Sequence, residues 1–191
     1  MGVAGLLLTG GRSTRLGTDK AALVIDGVPL AHRVASALSA VVAPAVEVGP
    51  GRSPLRAVCE DPPGQGPLAA LAAGAAELRR LGHGGPAVVL ATDLPFVTAR
   101  LVQILASHPG AACVVPVVEG RRQVLAARYS PAALGLASEL VGRGRRSMAG
   151  LIEAVEVLEL PECDLAGLVD LRELADVDTV EDLIRLGLQE G

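Results

Sequence analysis

Leu8-Thr9-Gly10-Gly11-Arg12-Ser13-Thr14-Arg15-Leu16-Gly17-Thr18-Asp19-Lys20 follows directly on the apolar run Val3 to Leu8. These thirteen residues hold three glycines, four hydroxyl side chains and three cations. The apolar run reads as a buried strand, and the polar stretch as the loop it opens into. Glycines let backbone N–H groups approach an anion with no Cβ in the way, and successive N–H groups form an anion-binding concavity. The cations neutralise charge that backbone dipoles leave over. This is the chemistry of a loop that holds a polyphosphate at the end of a strand.

Two familiar phosphate loops are excluded by counting. A P-loop needs Gly, four residues, then Gly-Lys-Ser/Thr. Here five residues separate Gly11 from Gly17, and Thr18 comes next. The dinucleotide pattern G-x-G-x-x-G is absent from the loop because Gly10 and Gly11 are adjacent.

Outward from the loop, strand-length apolar runs alternate with helical patterns. Val3–Leu8, Ala45–Val48, Ala57–Cys59, Ala87–Ala91, Ala112–Val117, Val124–Tyr129 and Val155–Leu160 read as strands. Leu30, Val34, Leu38 and Val41 recur at helical spacing. Pro67 opens a helix carrying Leu68, Leu71, Leu78 and Leu81, since proline suits the first helical position. Thr98 caps a helix through Leu105, and Pro131–Val141 and Ser147–Ala154 are helical. Thr179-Val180-Glu181-Asp182 has the spacing of a capping box. This alternation predicts a doubly wound, mostly parallel sheet. The polar turn Glu119-Gly120-Arg121-Arg122 adds an antiparallel hairpin. Ligands of such a sheet sit beyond the carboxyl ends of the strands, which here means residues 9–20, 60–66, 93–95 and 121–123.

Composition narrows the class. At 191 residues the chain fits one domain, residues 1–191. Half of it is hydrophobic, yet Phe96 and Tyr129 are the only aromatics, so Leu, Val and Ala must fill the core by close helix-on-sheet packing. Net charge is −4, and neither a basic face nor stacking platforms mark a nucleic-acid partner. Cys59, Cys113 and Cys163 are scattered, with no C-x-x-C, so they read as reduced, mostly buried thiols rather than a zinc site. The absence of a basic leader and of an 18-residue apolar run predicts a cytoplasmic protein with no membrane partner. His32, His83 and His108 form no constellation.

The loop with its continuation Ala21-Ala22-Leu23 resembles the signature of the molybdenum cofactor guanylyltransferase family of MobA-like NTP transferases, L-A-G-G-x-S-x-R-M-G-x-D-K-A-x-L. Thr9 stands where that pattern has alanine, and Leu16 where it has methionine. The resemblance implies a single-domain, Rossmann-like, three-layer α/β nucleotidyltransferase fold. It also implies transfer of GMP from GTP to molybdopterin (the Mo-cofactor precursor), with Mg²⁺ as cofactor and pyrophosphate released. Leu8, Thr9, Gly10 and Gly11 would then line the nucleotide, with the two glycines giving backbone contacts to the triphosphate. Arg15 and Lys20 would stabilise the departing pyrophosphate. Asp93, in the Asp-x-Pro string after an apolar strand, would hold the metal; capping the following turn is its other role.

Glu60 and Asp61 precede Gly66-Pro67-Leu68, which resembles the family's base and ribose element; Asp61 there accepts from guanine N1–H and the 2-amino group, or serves as a turn carboxylate. Gln123 falls where relatives carry Gln-Pro-Leu, with Val124 in place of the proline. Arg145 and Arg146, before a helix start, match an acceptor-phosphate element, or form a solvated basic turn. Asp176-Val177-Asp178-Thr179 resembles the family's closing motif, with Val180 replacing proline. Asp178 there serves the metal or phosphate environment, or caps the last helix. Transient contact with other cofactor-biosynthesis or molybdoenzyme-chaperone proteins belongs to the same expectation. Other readings of the residues are the same chemistry with CTP or another phosphorylated acceptor, and a nucleotide-binding protein without turnover.

Overall fold

The computed structural model describes residues 2–10, 23–108, 110–177 and 179–188. In chain order the elements are β1 (Ala4–Leu8), β2 (Val24–Ile25), β3 (Val28–Pro29), α1 (Leu30–Ser39), β4 (Ala45–Val48) and β5 (Arg56–Val58). Next come α2 (Pro67–Arg80), β6 (Ala87–Ala91), α3 (Ala99–Ala106), β7 (Cys113–Val118), β8 (Arg121–Arg122) and β9 (Ala126–Tyr129). The chain closes with α4 (Pro131–Gly142), α5 (Met148–Ile152), β10 (Val157–Pro161), α6 (Glu162–Leu165), a 3-10 turn at Leu171–Leu174 and α7 (Val180–Arg185).

One eight-stranded sheet runs in the order β10-β7-β9-β6-β1-β4-β5, with β8 paired to β7. β1 lies between β4 and β6, parallel to both. A strand flanked and covered on both faces is apolar throughout, which is why Ala4–Leu8 is buried at every position. β9 is antiparallel to both β6 and β7, so the expected antiparallel element sits inside the sheet. The turn into β8 is shorter than the sequence predicts. Glu119 and Gly120 both take positive φ (51° and 71°), the backbone of a two-residue hairpin turn. That frees Arg121 and Arg122 to pair with Val118 and Val117.

Side chains alternate across the sheet. Leu6 and Leu8 pack with α2, α4 and α5 on one face, while Leu7 packs with α1, α3 and α6 on the other. A third, smaller cluster joins Leu23, Ile25 and Leu30 to Val177 and Leu183. The near absence of aromatics is met by close approach. A Cβ on Gly74 of α2 would stand 2.8 Å from both Leu6 Cδ2 and Val48 Cγ2. Gly74→Ala is therefore expected to destabilise the protein by about 1–2 kcal/mol in urea titration. Overpacking at roughly 1–3 kcal/mol outweighs a helix-propensity gain of under about 1 kcal/mol.

Other details also differ from the sequence expectation. α1 ends at Ser39, and Val41 is exposed beyond it. α2 ends at Arg80, leaving Leu81 exposed as its C-cap. Only Cys113 is buried; Cys59 and Cys163 are exposed, because they lie in the loop after β5 and at the start of α6. No described helix is long and apolar enough to cross a membrane.

Candidate active site

The carboxyl ends of the parallel strands gather most of the described sequence candidates at one edge. At the end of β1, the Leu8 carbonyl accepts from the Thr92 N–H (3.2 Å) and hydroxyl (3.4 Å), beside β6. Thr9 is buried and its N–H donates to the Val48 carbonyl (3.0 Å), so the chain still runs along β4. Gly10 is exposed. Glu60 Oε1 lies 4.0 Å from where a Cβ on Gly10 would stand, and the same oxygen accepts from the Gly64 N–H (2.9 Å). The loop after β1 and the loop after β5 therefore meet at Gly10. Gly11, Arg15 and Lys20 lie outside the described residues.

Asp93 follows β6 by two residues and is half-buried. Its carbonyl accepts from the Val177 N–H (2.9 Å). Two further contacts hold this closing segment to the Asp93 loop. Glu173 accepts from the Thr98 N–H (3.0 Å) and hydroxyl (2.6 Å), and the Arg172 guanidinium lies 4.3 Å over the Phe96 ring. The family-like closing motif is thus brought to the strand end that carries Asp93. Asp178 is outside the described residues, and Thr179 with Asp182 completes a capping box for α7.

The loop after β5 and the segment after α4 share a pocket of about 210 Å³. Glu60, Asp61, Gln65, Ala69 and Arg146 are among its walls. These segments meet because α2 and α4 pack side by side on one face of the sheet. Gly66 caps α2, with Pro67 in its first turn, and the Arg146 carbonyl lies 3.5 Å from a Cβ built on Gly66. Leu68 is fully buried, so its share in any binding site is through its backbone. Arg146 donates from Nε to Gln65 Oε1 (3.2 Å) and from Nη1 to the carbonyls of Val141 and Arg145 (both 2.9 Å). The Arg145 guanidinium lies along α5, with Nη2 3.4 Å from a Cβ built on Gly150. Gln123 stands between β8 and β9, its N–H on the Pro116 carbonyl (2.9 Å), and is not among the residues lining the pocket.

One residue at this edge was not singled out by sequence reasoning. Glu47 in β4 is fully buried. Its carboxylate accepts from the Thr9 hydroxyl (2.6 Å), the Gly51 N–H (2.8 Å), the Arg52 N–H (2.7 Å), and the Ser53 N–H (2.7 Å) and hydroxyl (2.6 Å). Burial pushes this carboxyl's pKa up, but the hydrogen bonds from Ser53, Thr9 and Arg52 outweigh it and leave it below the ordinary value. A depressed carboxyl pKa contributes stability that is present above the unfolded pKa and lost as pH falls through the folded one. Glu47 is therefore an anion at neutral pH. The available signal was a lone carboxylate inside the apolar run Ala45-Val46-Glu47-Val48.

Chemically, the edge combines an exposed glycine just past the end of β1, carboxylates on two loops and a guanidinium beside a helix start. Among the described residues, no three His, Cys, Asp or Glu side chains cluster as a metal-ligand set. A family model described as the MobA-like NTP transferase domain matches residues 5–157. The chain belongs to the MobA-like NTP transferase family. Nucleotidyl transfer is the general activity that membership supports. The match takes in Gly10, Glu47, Asp61, Asp93 and Arg146, and stops before the segment at 171–177.

The chain is 33% identical over 185 residues to a protein described as a probable molybdenum cofactor guanylyltransferase from Mycobacterium tuberculosis (strain ATCC 25618 / H37Rv), covering 91% of this chain and 90% of that one. Its fold is similar to that of molybdopterin-guanine dinucleotide biosynthesis protein A from Archaeoglobus fulgidus, with a TM-score of 0.80, 23% identity and 96% of each chain covered. It is also similar to the 2-C-methyl-D-erythritol 4-phosphate cytidylyltransferase from Thermus thermophilus, at a TM-score of 0.67, 20% identity and 97% of each chain. A structure named for molybdopterin-guanine dinucleotide biosynthesis and one named as a cytidylyltransferase are thus both similar in fold to this chain.

Proposed function

We propose that this protein is a Mg²⁺-dependent guanylyltransferase that joins GMP from GTP to the terminal phosphate of molybdopterin. An acceptor phosphate oxygen forms a bond to the α-phosphorus of GTP. The bond from that phosphorus to the bridging oxygen breaks, and pyrophosphate leaves with the electron pair. The nucleophile is already an anion, so no general base is needed.

In this reading Gly10 and Gly11 present backbone N–H groups to the triphosphate. Arg15 and Lys20 offset charge growing on the β- and γ-phosphates, where preorganised cations lower the barrier. Asp93 is the protein ligand for Mg²⁺. The donor chemistry suits it, since this hard cation takes one or two carboxylates together with substrate oxygens. When bound, the ion supplies Lewis-acid stabilisation of the phosphate charge. Asp61 accepts from guanine N1–H and the 2-amino group, a pair of donors that other bases do not present together. Arg145, Arg146 and Gln123 hold the acceptor.

The observation that carries this reading is the convergence of the Gly10, Glu60-Asp61 and Asp93 segments at one sheet edge, beside Arg146. The 33% identity to a probable molybdenum cofactor guanylyltransferase supports the choice of base and acceptor. The test measures pyrophosphate release with Mg²⁺, molybdopterin and each of GTP, CTP and ATP. Release with GTP alone is expected. Release with CTP, or only with a different phosphorylated acceptor, moves the protein to a sister activity, and binding without release makes it a non-catalytic nucleotide binder. Asp61→Asn is expected to narrow the preference for GTP over CTP by about tenfold, the worth of roughly one charge-assisted hydrogen bond. An unchanged preference removes Asp61 as the base reader.

A further inference from the structure

We infer that Glu47 is a positioning residue that sets the spacing between the triphosphate-binding and base-binding halves of the nucleotide site, an inference that rests on the proposed reading of that site. The carboxylate joins two stretches of chain. Oε1 accepts from Thr9 at the end of β1 and from the Gly51 and Arg52 N–H groups, while Oε2 accepts from the Ser53 N–H and hydroxyl. The stretch 49–53 therefore folds back over the carboxyl end of its own strand and is clamped to the mouth of the first loop.

That stretch also touches the other half of the site. The Gly49 N–H donates to the Val58 carbonyl (2.8 Å), and the Cys59 thiol donates to the Gly49 carbonyl (3.0 Å). Glu60 and Asp61 come next in the chain. Gly49 itself packs on Thr9 and Gly10, close enough that a Cβ there would stand 2.0 Å from Thr9 Oγ1. Residues 49–53 thus form a spacer between the loop after β1 and the loop after β5, and Glu47 fixes it from below.

Only an ionised carboxylate suits the place. A carboxylate accepts and never donates, and all five partners here donate. An amide of the same shape would turn an N–H group toward at least one backbone N–H, leaving buried polar groups unsatisfied. Thr9 adds a second observation. The family pattern has alanine at that position, and this chain has a threonine whose hydroxyl is bound to Glu47. The departure and the buried carboxylate form one device, so restoring the family's usual alanine should harm this protein.

The experiment compares wild type with Glu47→Gln and Ser53→Ala, using Mg²⁺–GTP and inorganic tripolyphosphate as probes. Binding is titrated without acceptor and corrected for the folded fraction by thermal unfolding. A ligand that spans both halves is sensitive to their spacing, whereas one that occupies a single half is not. GTP affinity is expected to fall about tenfold in Glu47→Gln and about threefold in Ser53→Ala, which removes one hydroxyl donor to the same carboxylate. Tripolyphosphate affinity is expected to stay within twofold of wild type in both. If folded Glu47→Gln and Ser53→Ala bind GTP as wild type does, or lose both probes equally, Glu47 is a fold residue only. If Glu47→Gln does not fold, Ser53→Ala alone decides. Wild-type protein that binds neither probe removes the proposed function, and the inference falls with it.

Discussion

Asp93→Ala is expected to lower kcat for pyrophosphate release by about 10²–10³-fold, the usual loss when one preorganised electrostatic contact to a transition state is removed. The position makes the effect large. β6 is buried at every residue and pairs on both sides, so the strand delivers Asp93 to the sheet edge with little freedom. The contact from the Val177 N–H is to the Asp93 backbone carbonyl and survives loss of the side chain. Asp93→Asn, which keeps one oxygen donor but not the charge, should fall between wild type and alanine. Thermal unfolding of each variant separates loss of chemistry from loss of fold. Lys20→Ala should show a loss of similar size, since its ammonium would face the charge that develops on the leaving group. A kcat within threefold of wild type in Asp93→Ala would remove this residue from the reaction.

The sequence carried the strands that are buried on both faces, because continuous apolar runs survive any tertiary arrangement. Ala45–Val48 and Ala87–Ala91 form strands with the bounds expected. Pro67 and Thr98 mark helix starts where their local chemistry places them. The two-residue strands β2 and β3 escaped notice, since a two-residue strand shows no periodicity to detect. β8 was hidden inside the polar turn because a two-residue hairpin and a four-residue loop share the same composition. Which loops meet was less legible still. Asp61 and Arg146 share a pocket only because α2 and α4 cover the same face of the sheet, a fact that no local pattern contains. Glu47 shows the same limit from the other side. Its charge was visible, but its donors come from residue 9 and from residues 51–53, and only folding assembles them. Family resemblance pointed to Asp61 and Asp93; the carboxylate that ties the loops together had no motif to announce it.

Gly49→Ala is expected to destabilise the protein by roughly 2–4 kcal/mol and to weaken nucleotide binding in whatever remains folded. Two independent penalties coincide at this glycine. Its φ is +151°, in a region that L side chains rarely adopt, and such backbone strain is worth on the order of 1–3 kcal/mol. A Cβ would also stand 2.0 Å from Thr9 Oγ1 and 2.9 Å from the Gly10 nitrogen. Rotating the threonine does not relieve the clash, because its hydroxyl is held by Glu47 at 2.6 Å and the Gly10 nitrogen is backbone. The spacer must move away from the first loop, or the Thr9–Glu47 bond must break inside a buried site. At about 2–4 °C per kcal/mol for a chain of this length, the melting temperature should fall by roughly 5–15 °C. Gly64→Ala is the matched control. Gly64 also takes a positive φ (+80°), but a Cβ there meets nothing within 4 Å, so strain of about 1 kcal/mol acts alone. If both variants lose the same stability, contact between the spacer and the first loop contributes nothing. If Gly49→Ala melts lower than Gly64→Ala yet binds GTP as tightly as wild type, the spacer supports the fold without shaping the site.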